Sequence, residues 1–206
     1  MNQQISPTKG NLMDTKRSLA QAKLGFELLD RKRNILIREV MLMIDKAKTI
    51  QERIDMTYAE AYLALQQANI SLGICDEIAS TVPVENGLEI QYRSVMGVEI
   101  PMVHLESTVP QVYYGFESSN SLLDEAYFKF DAVKKLTAEL AEVENSVYRL
   151  ANAIRKTQKR ANALKNIMIP RFEETVKFIT NALDEKDREE FSRLKVIKRQ
   201  KSSKAG

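Results

Sequence analysis

From Leu12 onward, one seven-residue repeat constrains this chain more than any other feature. One core position of the repeat reads Leu12, Leu19, Phe26, Arg33, Val40, Ala47, Ile54, Ala61 and Ala68. The other reads Thr15, Ala22, Leu29, Leu36, Met43, Ile50, Thr57, Ala64 and Ser71. Fourteen of these eighteen residues are apolar, and the pattern holds for nine repeats where three or four already specify a coiled coil. A stripe this narrow and this long predicts a helix zipped against a second helix. Ile37, Ile44, Tyr58, Leu65 and Leu72 widen it on one flank, which predicts contact with something beyond the partner helix. Arg33 falls in the seam and leaves two readings open: a polar residue that sets register, or a side chain that snorkels outward.

The second half repeats the logic. Ala126, Val133, Leu140, Val147, Ile154, Ala161, Met168 and Ala182 occupy one core position, and Leu122, Leu136, Val143, Leu150, Leu164 and Phe178 the other. After Met168 the apolar set changes to Phe172, Val176, Ile179 and Leu183. Successive four-residue steps of this kind read as a stutter that locally unwinds a supercoil. Pro170 lies in the same stretch and removes a backbone donor, predicting a bend without a helix end. At about 1.5 Å per residue, each arm of roughly 65 residues makes a rod on the order of 100 Å.

The residues that break helices gather between the arms: Gly73, Pro83, Gly87, Gly97, Pro101, Pro110 and Gly115. Within that region Leu88, Ile90 and Tyr92 alternate with Glu89, Gln91 and Arg93, and Val98, Ile100 and Met102 follow after Met96-Gly97. Period-two alternation on both sides of a glycine turn predicts a β-hairpin. An isolated hairpin is marginal in water, so it must pack on the helices or a partner. Val103 to Gly115 reads as a return loop. The expected fold class is therefore all-α, a long antiparallel two-helix coiled coil with a small central β-hairpin. Its segments are a first helix over 1–79, the hairpin and return loop over 80–117, and a second helix with a basic tail over 118–206.

Formal net charge is only +3, too little for the global basic field that drives nonspecific nucleic-acid binding. No apolar run reaches the ~20 residues of a membrane span, and Met1 to Leu12 lacks the apolar core of a signal peptide. These features predict a cytoplasmic chain with no direct membrane insertion. The one cysteine, Cys75, reads as a small packing residue, and His104, the one histidine, as a loop surface residue. The carboxylate pairs Glu139 with Glu142 and Asp184 with Asp187 read as solvated helix faces. Thr8-Lys9-Gly10 runs in the wrong order for a phosphate-binding loop. Neither a catalytic group, nor a cofactor, nor a metal site is expected. The tail from Arg193 to Lys204 carries six cations and no acid and reads as a solvated end or a protein contact.

Several stretches resemble the D-subunit family of V-type and A-type rotary ATPases. They are Pro7-Thr-Lys-Gly-Asn-Leu12, Leu28-Leu-Asp-Arg-Lys-Arg33, Val95-Met-Gly-Val-Glu-Ile-Pro101, Lys156-Thr-Gln-Lys-Arg-Ala-Asn-Ala-Leu164, Ile169-Pro-Arg-Phe172, Phe178-Ile179 and Arg188-Glu-Glu-Phe191-Ser-Arg-Leu-Lys195. The resemblance spans nearly the whole chain in order. It implies a non-catalytic central-stalk rotor whose termini insert into a ring of catalytic and non-catalytic subunits. The hairpin end would then meet a small F-type stalk partner and a membrane-ring adaptor, on the cytoplasmic face of the membrane.

Under that reading the inserted end is Leu12 to about Arg33 with Arg155 to about Lys204. Its expected ring contacts are Lys16, Arg17, Lys23, Arg31, Lys32, Arg33, Lys156, Lys159, Arg160, Lys165 and Arg171. The expected contacts with the stalk partner are Ile44, Tyr58, Leu65, Leu88, Ile90 and Tyr92. The alternatives are a prefoldin-like chaperone, which also joins long helices through β-hairpins but exposes apolar helix ends, and a structural coiled-coil spacer. The cations Lys9, Lys16, Lys195 and Lys198 near the helix ends argue against the chaperone.

Overall fold

The computed structural model describes residues 6–105, 111, 113–115, 117 and 119–204. Helix α1 spans Lys9–Leu72, and the short helix α2 spans Asp76–Ala79. Strands β1 (Leu88–Val95) and β2 (Val98–Leu105) follow. Helix α3 (Ser121–Ala163) then passes through a π-helical turn (Leu164–Met168) into α4 (Ile169–Lys204). The architecture is all-α, a long helix pair with one small two-stranded antiparallel sheet. By their contacts the elements fall into two compact units, Met1–Arg33 with Lys156–Gly206, and Asn34–Arg155.

Local chemistry fixes the helix ends. Thr8 Oγ1 accepts the backbone N–H of Asn11 at 3.2 Å and starts α1, an N-cap of the usual kind. At the far end Gly73 takes φ +85 and donates its N–H to the carbonyl of Asn69, the left-handed stop that glycine allows without a Cβ penalty. Asn120 caps α3 by accepting the N–H of Leu123 at 3.0 Å, and its amide donates to Ser71 Oγ at 2.7 Å. Ser71 is exposed and serves this clasp, where the repeat predicts a seam residue.

In the unit Asn34–Arg155, residues of rising number on α1 meet residues of falling number on α3, which makes the pair antiparallel. Leu36 packs with Leu150, Ile50 and Ile54 with Val143, and Ala68 with Leu123 and Cys75. Small residues, Ala61, Ala64 and Ala68, line one stretch of this seam and are buried. Leu36 and Leu150 have no accessible surface, and each such side chain stabilises the fold by about 1.5–3 kcal/mol through burial.

The hairpin lies on this pair. Its two strands are joined by Met96-Gly97, both at positive φ (52 and 75), which closes the two-residue turn that suits strand twist. Ile100 is buried with Leu36 and Leu150. Strand β2 continues to Leu105, so His104 is an exposed strand residue and not a loop residue. Of the expected return loop, residues 106–110 and 112, including Pro110, lie outside the described residues.

The other unit pairs the start of α1 with the end of α3 and with α4, again antiparallel. Lys23 bridges Glu173 at 2.7 Å, and Arg33 reaches Gln158 at 2.9 Å. Thr15, Ala22, Thr157, Ala161 and Ile179 are buried. Thr15 satisfies its hydroxyl on the carbonyl of Asn11. Gly25 sits beside Leu164, where an added Cβ would lie 3.7 Å from Cδ1.

The repeat breaks in this unit by one residue. Continued from Ala161 and Leu164, it would place Arg171, Thr175, Phe178 and Ala182 at the seam; instead Ile179 is fully buried and Phe178 is 60% exposed. Met168 is also exposed, at 36%. The π turn absorbs the extra residue, with the N–H of Ile169 bonding the carbonyl of Leu164 five residues back. Phe178 and Met168 are therefore not seam residues as expected, whereas Ile179, from the shifted set Phe172, Val176, Ile179 and Leu183, is buried, and the π turn is where the register shifts. Pro170 lies two residues past the turn and, as a proline, donates no N–H to the helix. The helix nevertheless continues through it.

Candidate functional site

Among the described residues no group of three His, Cys, Asp or Glu side chains is placed to hold a metal, and no helix is long and apolar enough to cross a membrane. The candidate sites are surfaces, and each unit carries its own.

In the unit of the chain ends, Lys16, Arg17, Lys23, Arg31, Lys156, Lys159, Arg160, Lys165 and Arg171 are exposed, and Lys32 is half-buried. Lys23 is held by Glu173, and Lys165 lies 5.7 Å over the ring of Phe26. Arg33 differs from the rest. Its side chain is about one-quarter exposed (26%) and its guanidinium spans Asp30 at 2.7 Å and Gln158 at 2.9 Å, while Gln158 in turn donates to Asn162. Of the two readings left open by the sequence, the structure takes the first, a polar layer linking the two helices of the seam.

Beyond Asp184 every described side chain of α4 is exposed. Phe191, Leu194, Val196 and Ile197 are among them, interleaved with Arg193, Lys195, Lys198 and Arg199. The basic tail is thus a helix carrying an uncovered apolar set. Its charge dominates the sequence pattern and hides those four residues.

In the other unit, Ile44, Tyr58 and Leu65 are half-buried on the widened flank of α1, while Leu88, Ile90 and Tyr92 stand exposed on β1. Tyr58 stacks on Tyr62 with ring centroids 5.9 Å apart, and Arg149 lies 5.2 Å over the Tyr92 ring. A further surface is absent from the sequence expectations. Ile35, Leu42, Met56, Leu63 and Ile70 recur at seven-residue spacing or its double and are all exposed, Ile70 by 85%. Their spacing is a second repeat written over the first, and counting both would have found it.

The outer edge of β2 is closed by α3 instead of by a third strand. Glu142 accepts the N–H of Val103, Ser146 donates to the carbonyl of Pro101 at 3.4 Å, and Arg149 donates to the carbonyl of Glu99 at 3.3 Å. Three side chains on one helix face thus take the bonds that a strand would make. Glu142 is not the solvated residue the sequence suggests; Glu139 bridges Lys46 at 3.1 Å.

Nearby, Lys134 joins Glu85 and Asp131 at 2.8 and 2.9 Å, and Lys135 also reaches Asp131. Hydrogen bonds from Lys134 and from the Gly87 N–H hold the Glu85 carboxyl below its ordinary range. Burial alone would raise Asp131, but the Lys135 and Lys134 hydrogen bonds outweigh it and lower the net value. The same bonds push Lys134 up to about 12. The Tyr114 hydroxyl, partly buried and bonded to Asp124 at 2.5 Å, is also raised.

Comparison with known proteins converges on one family. A family model described as the D subunit of ATP synthase matches residues 11–199. The chain is 44% identical over 196 residues to the V-type ATP synthase D subunit of Thermotoga neapolitana, covering 94% of this chain and 97% of that one. It is 40% identical to the A-type ATP synthase D subunit of Thermococcus kodakarensis and 39% identical to that of Desulfurococcus sp., each match covering 94% of this chain and 93% of the relative.

Proposed function

The chain belongs to the ATP synthase D-subunit family, and from that premise we propose that it is the non-catalytic rotor shaft of a V/A-type rotary ATPase, carrying torque between the catalytic ring and the ion-translocating membrane ring. The observation that supports this best is the seam itself. Two helices closed on each other by fully buried Leu36, Leu150 and Ile179 resist twisting, because a packed interior transmits strain instead of absorbing it. A shaft also needs unequal faces. Three equivalent ring sites are held in different states only by something that presents a different surface to each, and an antiparallel helix pair has no threefold symmetry.

The unit of the chain ends is the part that enters the ring. Lys16, Arg17, Lys23, Arg31, Lys32, Arg33, Lys156, Lys159, Arg160, Lys165 and Arg171 contact it, and their charge fits a bore lined by carboxylates. Long-range charge contact also slides more readily than interdigitated apolar side chains, as a bearing requires. In the other unit, Ile44, Tyr58, Leu65, Leu88, Ile90 and Tyr92 receive the small F-type stalk partner, and the hairpin end meets the membrane-ring adaptor. The working location is the cytoplasmic face of the membrane, as part of a peripheral motor complex.

Charge reversal tests the reading. Arg160→Glu with Arg171→Glu, two exposed cations of one unit, should reduce co-purification with the catalytic ring and uncouple ATP turnover from ion transport. Unchanged assembly and unchanged coupling overturn it.

A further inference from the structure

The structure assigns to the open edge of β1 a second copy of this chain: we propose that the unassembled protein pairs β1 to β1 in antiparallel fashion, forming a continuous four-stranded sheet. This goes beyond the shaft reading and does not depend on it.

The first observation is which edge is open. Glu142, Ser146 and Arg149 occupy the outward groups of residues 99, 101 and 103 on β2. The register pairs Ile90 with Val103, Tyr92 with Pro101 and Ser94 with Glu99. Because residues alternate in the direction of their backbone groups, Leu88, Ile90, Tyr92 and Ser94 point their N–H and C=O groups away from β2. Among the described residues nothing bonds to that edge, and every residue of β1 before Val95 is exposed. β1 has no proline or bulge and, among the described residues, no covering loop; of the usual means of blunting an edge it carries only the charges Glu89 and Arg93.

The second observation is that the edge complements itself. Two copies can pair only with outward residues facing outward residues, since a one-residue slip turns every group around. Of the allowed registers, the one that pairs all four outward residues sets Ile90 opposite Tyr92 of the second copy and Leu88 opposite Ser94, about a two-fold axis at Gln91. That register also sets Glu89 opposite Arg93 of the second copy, twice; Arg93 already bridges Glu39 on its own α1 at 3.1 Å, so Glu89 of the second copy is a second carboxylate on the same guanidinium. The register makes two opposite-charge pairs and two pairs of aromatic with β-branched side chains, each favourable across strands. The neighbouring registers align Glu89 or Arg93 with Gln91 and lose the charge match. A charged edge of this pattern discourages random strands and accepts its own sequence.

Sedimentation velocity on the full chain over a concentration series should show a reversible dimer. Ile90→Pro removes one outward N–H without touching the β1–β2 bonds and should leave a monomer. Glu89→Arg sets like charges opposite each other and should weaken the dimer about tenfold or more. Arg93→Glu should do the same. An equal mixture of the Glu89→Arg and Arg93→Glu chains should restore dimers, because both cross-strand pairs are then opposite in sign. Circular dichroism on each variant establishes that the helices remain. A wild-type chain that is monomeric throughout overturns the proposal. So does a dimer indifferent to Ile90→Pro and to the charge swap, which would place the contact on the exposed Leu42, Met56 and Leu63 stripe. A monomer whose Ile90→Pro variant loses only its stalk partner also overturns it and gives the edge to that partner.

Discussion

Val103 donates its backbone N–H to the carboxylate of Glu142 at 2.6 Å, so a strand finishes its hydrogen bonding on a helix side chain. With Ser146 and Arg149 on the same face of α3, this contact fixes where the hairpin sits. Replacing Glu142 with leucine leaves a part-buried donor unpaired, which costs about 1–3 kcal/mol. Hydrogen exchange at Val103 should accelerate while the exchange of the β1–β2 bonds holds; unchanged protection at Val103 would show that the contact does not anchor the hairpin.

Leu150 tests the seam. It has no exposed surface and packs with Leu36 and Ile100, so one residue joins both helices and the sheet. Leu150→Ala should lower the unfolding free energy by about 2–5 kcal/mol, read from chemical denaturation. Leu63→Ala, at an exposed position, should change it by less than about 0.5 kcal/mol.

The π turn holds one residue more than the repeat allows. Deleting Asn166, which is exposed, should bring Phe172, Val176, Ile179 and Leu183 into step with Ala161 without moving any of them out of the seam. The deletion should therefore keep the thermal midpoint. Removing exposed Glu144 from the regular part of α3 rotates everything after it by about 100° and should lower the midpoint by about 10 °C or more. Equal losses from the two deletions would refute the one-residue account.

The clip of Glu85, Asp131 and Lys134 sets a pH window. Both carboxyls are lowered from ordinary values of 4.5 and 3.8, so their contribution is complete above those values and is lost as pH falls further. Lys134 is raised from 10.5 to about 12, so its contribution is complete below 10.5 and is lost as pH rises through about 12. Comparing wild type with Lys134→Met, the difference in thermal midpoint should be flat from about pH 5 to pH 10 and shrink beyond both limits. A difference that varies between pH 6 and pH 9 would contradict this assignment.

Most of the helical frame is legible because burial follows the seven-residue count. Leu36, Ile50, Ala61 and Ala68 are buried where the count places them, and the Met96-Gly97 turn joins the strands that alternation predicts. Phe178 departs from expectation because periodicity carries forward blindly past a widened turn, and only the competing set Phe172, Val176, Ile179 and Leu183 signals the shift. Glu142 departs from it because a carboxylate on a helix looks solvated until a strand edge arrives beside it, and that approach is a tertiary event. The stripe of Leu42, Met56 and Leu63 stays hidden because the first repeat already explains the helix. The ring and stalk contacts rest on family resemblance combined with charge and hydrophobicity, which cannot single out which cations a partner touches.

The polar layer at Arg33 has a mechanical meaning. Its guanidinium grips Asp30 on its own helix and Gln158 across the seam. A coiled coil of leucines alone can slip lengthwise by one repeat and find equivalent holes, but here such slippage would move the guanidinium from Gln158 to Ala151 or to Lys165, losing its acceptor in one direction and meeting a like charge in the other. In the proposed shaft the layer would work like a key in a keyway, letting the two helices turn together while barring them from creeping past each other.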